Sequence, residues 1–115
     1  MTYELDIVGE DIIPYLVHFS EIGIIPEIVD ADNISIRTVR LKGPRLNDFL
    51  KAESNAVQLS KVYERIGFQV GHISNHGVIH GDLRTDNIIV ENNVPFLIDW
   101  GSTKIMPIAS FRYCL

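Results

Sequence analysis

Apolar residues along the chain fall into helical and strand-like runs that alternate from end to end. Ile12, Ile13, Leu16, Val17 and Phe19 recur at approximate helical spacing up to Ile22, and Gly23 fits a C-terminal stop. Pro14 is tolerated only in a first turn, which places the start of this helix near Asp11. Residues 27–30 and 34–41 alternate as strands around a turn at Ala31-Asp32-Asn33. Lys42-Gly43-Pro44 breaks the chain, and a short helix is expected over 46–52. The longest pattern covers 55–76, with Leu59, Val62, Tyr63, Ile66, Val70 and Ile73 on one face. Gly67 and Gly71 lie on one side of it, each costing roughly 1 kcal/mol relative to Ala; they either admit a close neighbour or are merely tolerated. After Asn75-His76-Gly77, three short runs read as buried strands by β-branched and aromatic content: Val78-Ile79, Ile88-Ile89-Val90 and Phe96-Leu97-Ile98. The last two form a hairpin about Glu91-Asn92-Asn93. Residues 1–9 read as a mixed lead-in.

Composition narrows the class. Hydrophobic content of 46% and charged content of 22% describe a globular chain, and 115 residues suit a single domain over 1–115 with a modest core. A formal net charge of -5 argues against nucleic acid as a non-specific partner, because phosphate binding needs clustered Lys and Arg. The single Cys114 excludes an internal disulfide framework and suits a reducing compartment. No apolar run approaches the ~18 residues of a membrane span and no signal peptide is legible, so a cytoplasmic protein is expected.

The candidate chemistry lies between residues 80 and 101. If the hairpin pairs, Asn87 at the start of one strand lies across from Asp99 at the end of the other. Asp82 lies on the loop leading in. Three oxygen-bearing side chains then converge, the kind of donor set that hard cations such as Mg²⁺ take.

In order and spacing, His80-Gly81-Asp82-Leu83 with Asn87, followed by Asp99-Trp100-Gly101, resembles the catalytic loop H-R-D-L-x-x-x-N and the metal motif D-F-G of the eukaryotic-like protein kinase superfamily. Gly in place of the loop Arg is similar to the small atypical Ser/Thr kinases of the KEOPS type and to aminoglycoside and choline phosphotransferases, and the chain as a whole also resembles RIO and aminoglycoside phosphotransferase-like enzymes. Gly23-Ile24-Ile25-Pro26 through Gly43-Pro44-Arg45-Leu46 also resembles the strand and hinge of the KEOPS type. The resemblance implies a partial protein-kinase-like α+β fold over about 10–105: regulatory helix, hinge strands, two C-lobe helices, catalytic loop and metal-motif hairpin. The glycine-rich-loop strands with their phosphate-binding Lys, and the C-terminal helices, have no counterpart in this sequence.

What the resemblance implies for single residues follows. Asp82 is the base for a substrate hydroxyl, against a loop Asp that caps amides. Asn87 and Asp99 hold Mg²⁺ against the phosphates of ATP, against turn chemistry and strand termination. Arg84 stands where many Ser/Thr kinases carry a Lys that touches the γ-phosphate, or is a solvated Arg. His80 braces the loop, and Trp100 is a packed aromatic. Glu10 or Asp11 favours the helix dipole more simply than it pairs with an absent Lys. The steps His72, His76 and His80 hint at a metal site, but the helix ends at Gly77 and breaks the shared face. The expectation is an ATP- and Mg-dependent phosphotransferase acting on a protein or small hydroxyl compound; the alternatives are a catalytically weak binding module or a fragment. Leu59, Ile66 and Ile73 would be left without the family's central helix, covered only by a tail at 105–115. A homo-oligomer or a partner protein on that face is therefore expected.

Overall fold

The computed structural model describes residues 2–106. Cys114 and most of the expected covering tail lie outside them. An antiparallel sheet in the order β1-β3-β2 is built from β1 (Tyr3–Ile7), β2 (Ile28–Ala31) and β3 (Ser35–Val39). β1 occupies the stretch read as a lead-in, and it pairs with β3 from Tyr3↔Val39 to Ile7↔Ser35. Its alternation is the reverse of a core-facing strand. Tyr3, Leu5 and Ile7 are exposed, while Glu4 and Asp6 line a cleft.

α1 (Ile13–Glu21) follows a single 3₁₀ turn at Glu10–Ile12, has Pro14 in its first turn, and buries Leu16 and Phe19. Gly23 ends it at φ +83°, a conformation that glycine adopts without strain. α2 spans Leu46–Ala52 and α3 spans Ala56–Asn75. Asn55 caps α3, its Oδ1 accepting from the amides of Val57 at 2.9 Å and Gln58 at 3.3 Å. Asn55→Ala should lower stability by about 1 kcal/mol with no other change, a shift that a urea melt resolves.

The buried seam of α3 runs through Leu59, Val62, Ile66, Gln69 and Ile73. It differs from the expected face at two places: Tyr63 is 54% exposed and Val70 only half-buried, whereas Gln69 is fully buried. A polar residue holds this place because its Nε2 donates to the Pro95 carbonyl at 2.8 Å. A Cβ added at Gly67 or Gly71 would meet nothing, so both glycines are tolerated rather than required. Val62 and Ile73 are closed within the chain itself; the large apolar side chains that α3 leaves exposed are Val57, Tyr63 and Phe68.

The hairpin of β5 (Ile88–Glu91) and β6 (Val94–Leu97) turns at Asn92 and Asn93, both at positive φ (52° and 64°), the geometry of a type I′ turn. β4 (Val78–Ile79) pairs with β7 (Lys104–Ile105), a strand the sequence pattern did not suggest. Trp100, Phe19, Leu16, Ile24, Ile36 and Leu97 form the centre of the core, joining α1, the sheet and the hairpin.

Candidate active site

Two glycines fix the backbone around the candidate residues, for different reasons. The segment 42–45 runs hard against β5: Val90 donates its amide to the Pro44 carbonyl at 2.8 Å, and Arg45 bridges Ile89. A Cβ on Gly43 would stand 2.1 Å from the Val90 carbonyl oxygen, so no other residue fits. Gly81 sits at φ +90°, and a Cβ there would meet the Ser102 carbonyl oxygen at 2.3 Å. The close approach of 81 and 102 gives a steric reason for Gly where related loops carry Arg.

His80 is buried and braces the loop, as expected. Its Nε2 donates to the Ile98 carbonyl at 2.8 Å while its Nδ1 accepts from the Asp82 amide at 3.2 Å. This pairing requires the Nε2–H tautomer and ties the loop to the end of the hairpin.

Asp82 and Asn87 are brought together. Asn87, at the end of a 3₁₀ turn over Thr85–Asn87, is buried. Its Nδ2 donates to the Asp82 carbonyl at 2.7 Å and to the Asp82 carboxylate at 3.2 Å. With the amide nitrogen so engaged, the oxygen Oδ1 is turned the other way. Arg84 is exposed and its Nε lies 3.2 Å from one Asp82 oxygen and 3.6 Å from Asp86.

Asp99 follows the hairpin one residue further on than a strict opposition to Asn87 would place it. The residue opposite is Ile98, whose amide donates to the Asn87 carbonyl at 3.0 Å. Asp99 itself adopts φ 63°, the left-handed region that Asp visits at modest cost and that recurs at functional sites. The next residue, Trp100, is held by a group that the sequence reading missed. Its amide donates to the Asp6 carboxylate on β1 at 3.1 Å. Burial pushes the Asp6 carboxyl above the usual carboxylate range; the Trp100 amide opposes that, and the negative charges of Asp99 and Glu4 add to it.

Asn87, Asp99, Arg84 and Asp6 all line one cleft of about 980 Å³ between the sheet and the hairpin. The stretch 38–41 and Gly43 close its far side, and Asp82 is joined to it through Asn87 and Arg84. Three arginines, Arg40, Arg45 and Arg84, face it, and no lysine does among the described residues. Arg40 is paired with Glu4 and Arg45 donates to the Asp86 carbonyl. An amide oxygen turned away from Asp82 and a carboxylate on the same cleft are hard oxygen donors. They fit a divalent cation of the Mg²⁺ class.

Comparison with known proteins places the chain in a family. Residues 25–110 match the model of APH, the phosphotransferase enzyme family. The chain belongs to that family. It is 34% identical over 73 residues to the KEOPS complex subunit Bud32 of Pyrococcus abyssi, covering 64% of this chain and 33% of that protein. An EKC/KEOPS complex subunit of Schizosaccharomyces pombe is 32% identical over 82 residues, again covering 64% of this chain and 33% of the relative. A probable bifunctional tRNA threonylcarbamoyladenosine biosynthesis protein of Methanosphaera stadtmanae is 28% identical over 76 residues, covering 66% and 14%. The chain thus spans about a third or less of the length of these relatives. Membership of the phosphotransferase family makes the chain a protein-kinase-like member of the atypical kinase superfamily, with a partial kinase-like α+β fold. No described helix is long and apolar enough to cross a membrane.

Proposed function

We propose that the chain performs, or carries the catalytic half of, ATP- and Mg²⁺-dependent phosphoryl transfer of the atypical Ser/Thr kinase type. Asn87 and Asp99 would hold Mg²⁺. Asp82 would accept or orient the proton of an attacking hydroxyl, and Arg84 would reach the transferred phosphate. The observation that carries the reading is the Asn87 side chain. Buried and gripped through its nitrogen by Asp82, it offers its oxygen on the cleft that Asp99 also lines. Metal-bound ATP supplies the activated phosphoryl group, and the protein's contribution is position and charge. The relatives' names as KEOPS complex subunits support a protein-complex setting, with a partner protein beside the chain; a second copy of the chain as that partner, and a place in the cytoplasm, belong to the proposal alone.

A second reading has its own support. The cleft presents Asp6 and Glu4 on β1 and no lysine among its described lining. A catalytically weak module that binds nucleotide and docks on a partner would suffer least from that charge. Calorimetric titration with ATP separates the two. The first reading expects binding that requires Mg²⁺ and weakens when EDTA removes it, together with measurable hydrolysis. Metal-dependent binding without turnover would leave the binding module, and no nucleotide affinity at all would overturn both.

A further inference from the structure

A separate group of side chains lies behind the cleft, where the end of α1 meets the end of α3. His72 lies in the last turn of α3 and His76 is the residue that caps its end, four positions on. His18 of α1 reaches the same point, and one ring nitrogen from each of the three lies within 4.8 Å of the others. His80, which the four-residue spacing had grouped with His72 and His76, is absent from this cluster, because the chain leaves the helix at Gly77. None of the three lines the cleft.

We propose that His18, His72 and His76 form a binding site for a transition-metal dication that favours imidazole, Zn²⁺ above all. Spacing is the first argument. The Nε2 atoms of His18 and His72 are 3.2 Å apart, and two nitrogens on a tetrahedral Zn²⁺ at its usual bond lengths lie about 3.3 Å apart. Tautomer is the second. The His76 Nδ1 lies 3.0 Å from the His72 carbonyl oxygen. Donation there places the proton on Nδ1 and the lone pair on Nε2, the orienting bond that metal-ligating histidines habitually make. Access is the third: His76 is exposed and the other two half-buried, so an ion can enter from solvent. Three imidazoles with a water in the fourth place suit Zn²⁺, Co²⁺ or Ni²⁺, whereas Mg²⁺ prefers oxygen.

Such an ion would pin α1 to α3. The Phe19 ring packs edge-on against His72 and His76, with centroids at 5.9 and 5.6 Å, and its centroid lies 6.1 Å from that of Trp100. The site is therefore one aromatic layer behind the Asp99-Trp100-Gly101 turn. It stands independently of the phosphotransfer reading.

The test is titration of Co²⁺ into the full chain, free of any histidine tag, followed by visible absorption. The d–d bands of a low-coordinate nitrogen site should appear, should be displaced by Zn²⁺, and should be indifferent to millimolar Mg²⁺. Zn²⁺ should raise Tm in the same preparation. His72→Gln and His76→Gln should each weaken binding by at least about tenfold, the loss that even an outer-shell partner causes. If His72→Gln fails to fold, the exposed His76→Gln carries the comparison. Absence of the Co²⁺ spectrum in the parent protein, or parent affinity in the folded variants, overturns the proposal.

Discussion

Asp82→Asn is expected to leave Mg²⁺-dependent ATP binding near the parent value and to lower turnover by about 10²–10⁴-fold, the range for loss of a general base. Asp99→Asn is expected to lose the metal-dependent part of the binding itself. The amide is the better substitute at both places. At residue 99 the backbone stands at φ 63°, which Asn tolerates as well as Asp. Stability should not fall with it, because the Asp99 charge is one of the groups that hold the Asp6 carboxyl high. Removing that charge relieves a repulsion in the folded state. A variant that melts no lower than the parent yet no longer responds to Mg²⁺ has lost a ligand, not a fold. At residue 82 an amide oxygen still accepts from the Asn87 Nδ2, which keeps Asn87 oriented, and only the basic carboxylate is gone. Parallel calorimetry and single-turnover assays read the two separately. Equal turnover in parent and Asp82→Asn would sink the base assignment, and Mg²⁺-dependent binding that survives Asp99→Asn would sink the metal assignment.

Local signals carried most of the fold. α2 lies over the expected residues and α3 differs by one residue at each end, because Asn55 and the Asn75-His76-Gly77 stop are chemical punctuation that works within a few residues. β1 was lost for a physical reason. Tyr3-Glu4-Leu5-Asp6-Ile7 alternates well, but its apolar side faces solvent and its acidic side faces a cleft. An inverted strand looks like a lead-in until its distant partner, Ser35–Val39, is known. Tyr63 and Gln69 exchanged places for a similar reason. The helical wheel brings both near the seam, and only the Pro95 carbonyl opposite shows that an amide belongs there.

The site divides along the same line. Asp82, Asn87 and Asp99 were legible as a motif, since their spacing is short and the hairpin between them is signalled by Asn92 and Asn93. Asp6 and His18 were not, because each acts through a contact spanning more than fifty positions, to Trp100 and to His72. Gly43 and Gly81 lie between these cases. Each was visible as a break or a departure, but the carbonyls that forbid a Cβ, at Val90 and Ser102, appear only in three dimensions.

Trp100→Ala should be the most destabilising single substitution in the chain, costing about 3–5 kcal/mol against the ~5–15 kcal/mol total of an ordinary domain. Five contacts meet at this residue. Its ring is 1% exposed and packs on Phe19 and, at 4.7 Å, on His80. Its Nε1 donates to the Leu97 carbonyl at 3.0 Å, and its own carbonyl accepts from the Thr103 hydroxyl at 2.7 Å. The last of these, and the amide bond to Asp6, are made by backbone and survive any side chain. The loss is therefore cavity and indole hydrogen bond, and in a chain of this size it should lower Tm by roughly 10–20 °C. Trp100→Phe, which restores the residue usual in the resembled motif, keeps most of the packing and loses the indole donor. It should cost about 1–3 kcal/mol, the penalty for leaving the buried Leu97 carbonyl unpaired with a smaller ring beside it. Because the same ring backs His80, which orients the Asp82 amide, both variants should also loosen the catalytic loop. Hydrogen exchange at the Asp82 amide, faster in Trp100→Ala than in Trp100→Phe and slowest in the parent, is the order expected. An unchanged melting temperature in Trp100→Ala would mean that the core is not centred where the packing of α1, the hairpin and the loop places it.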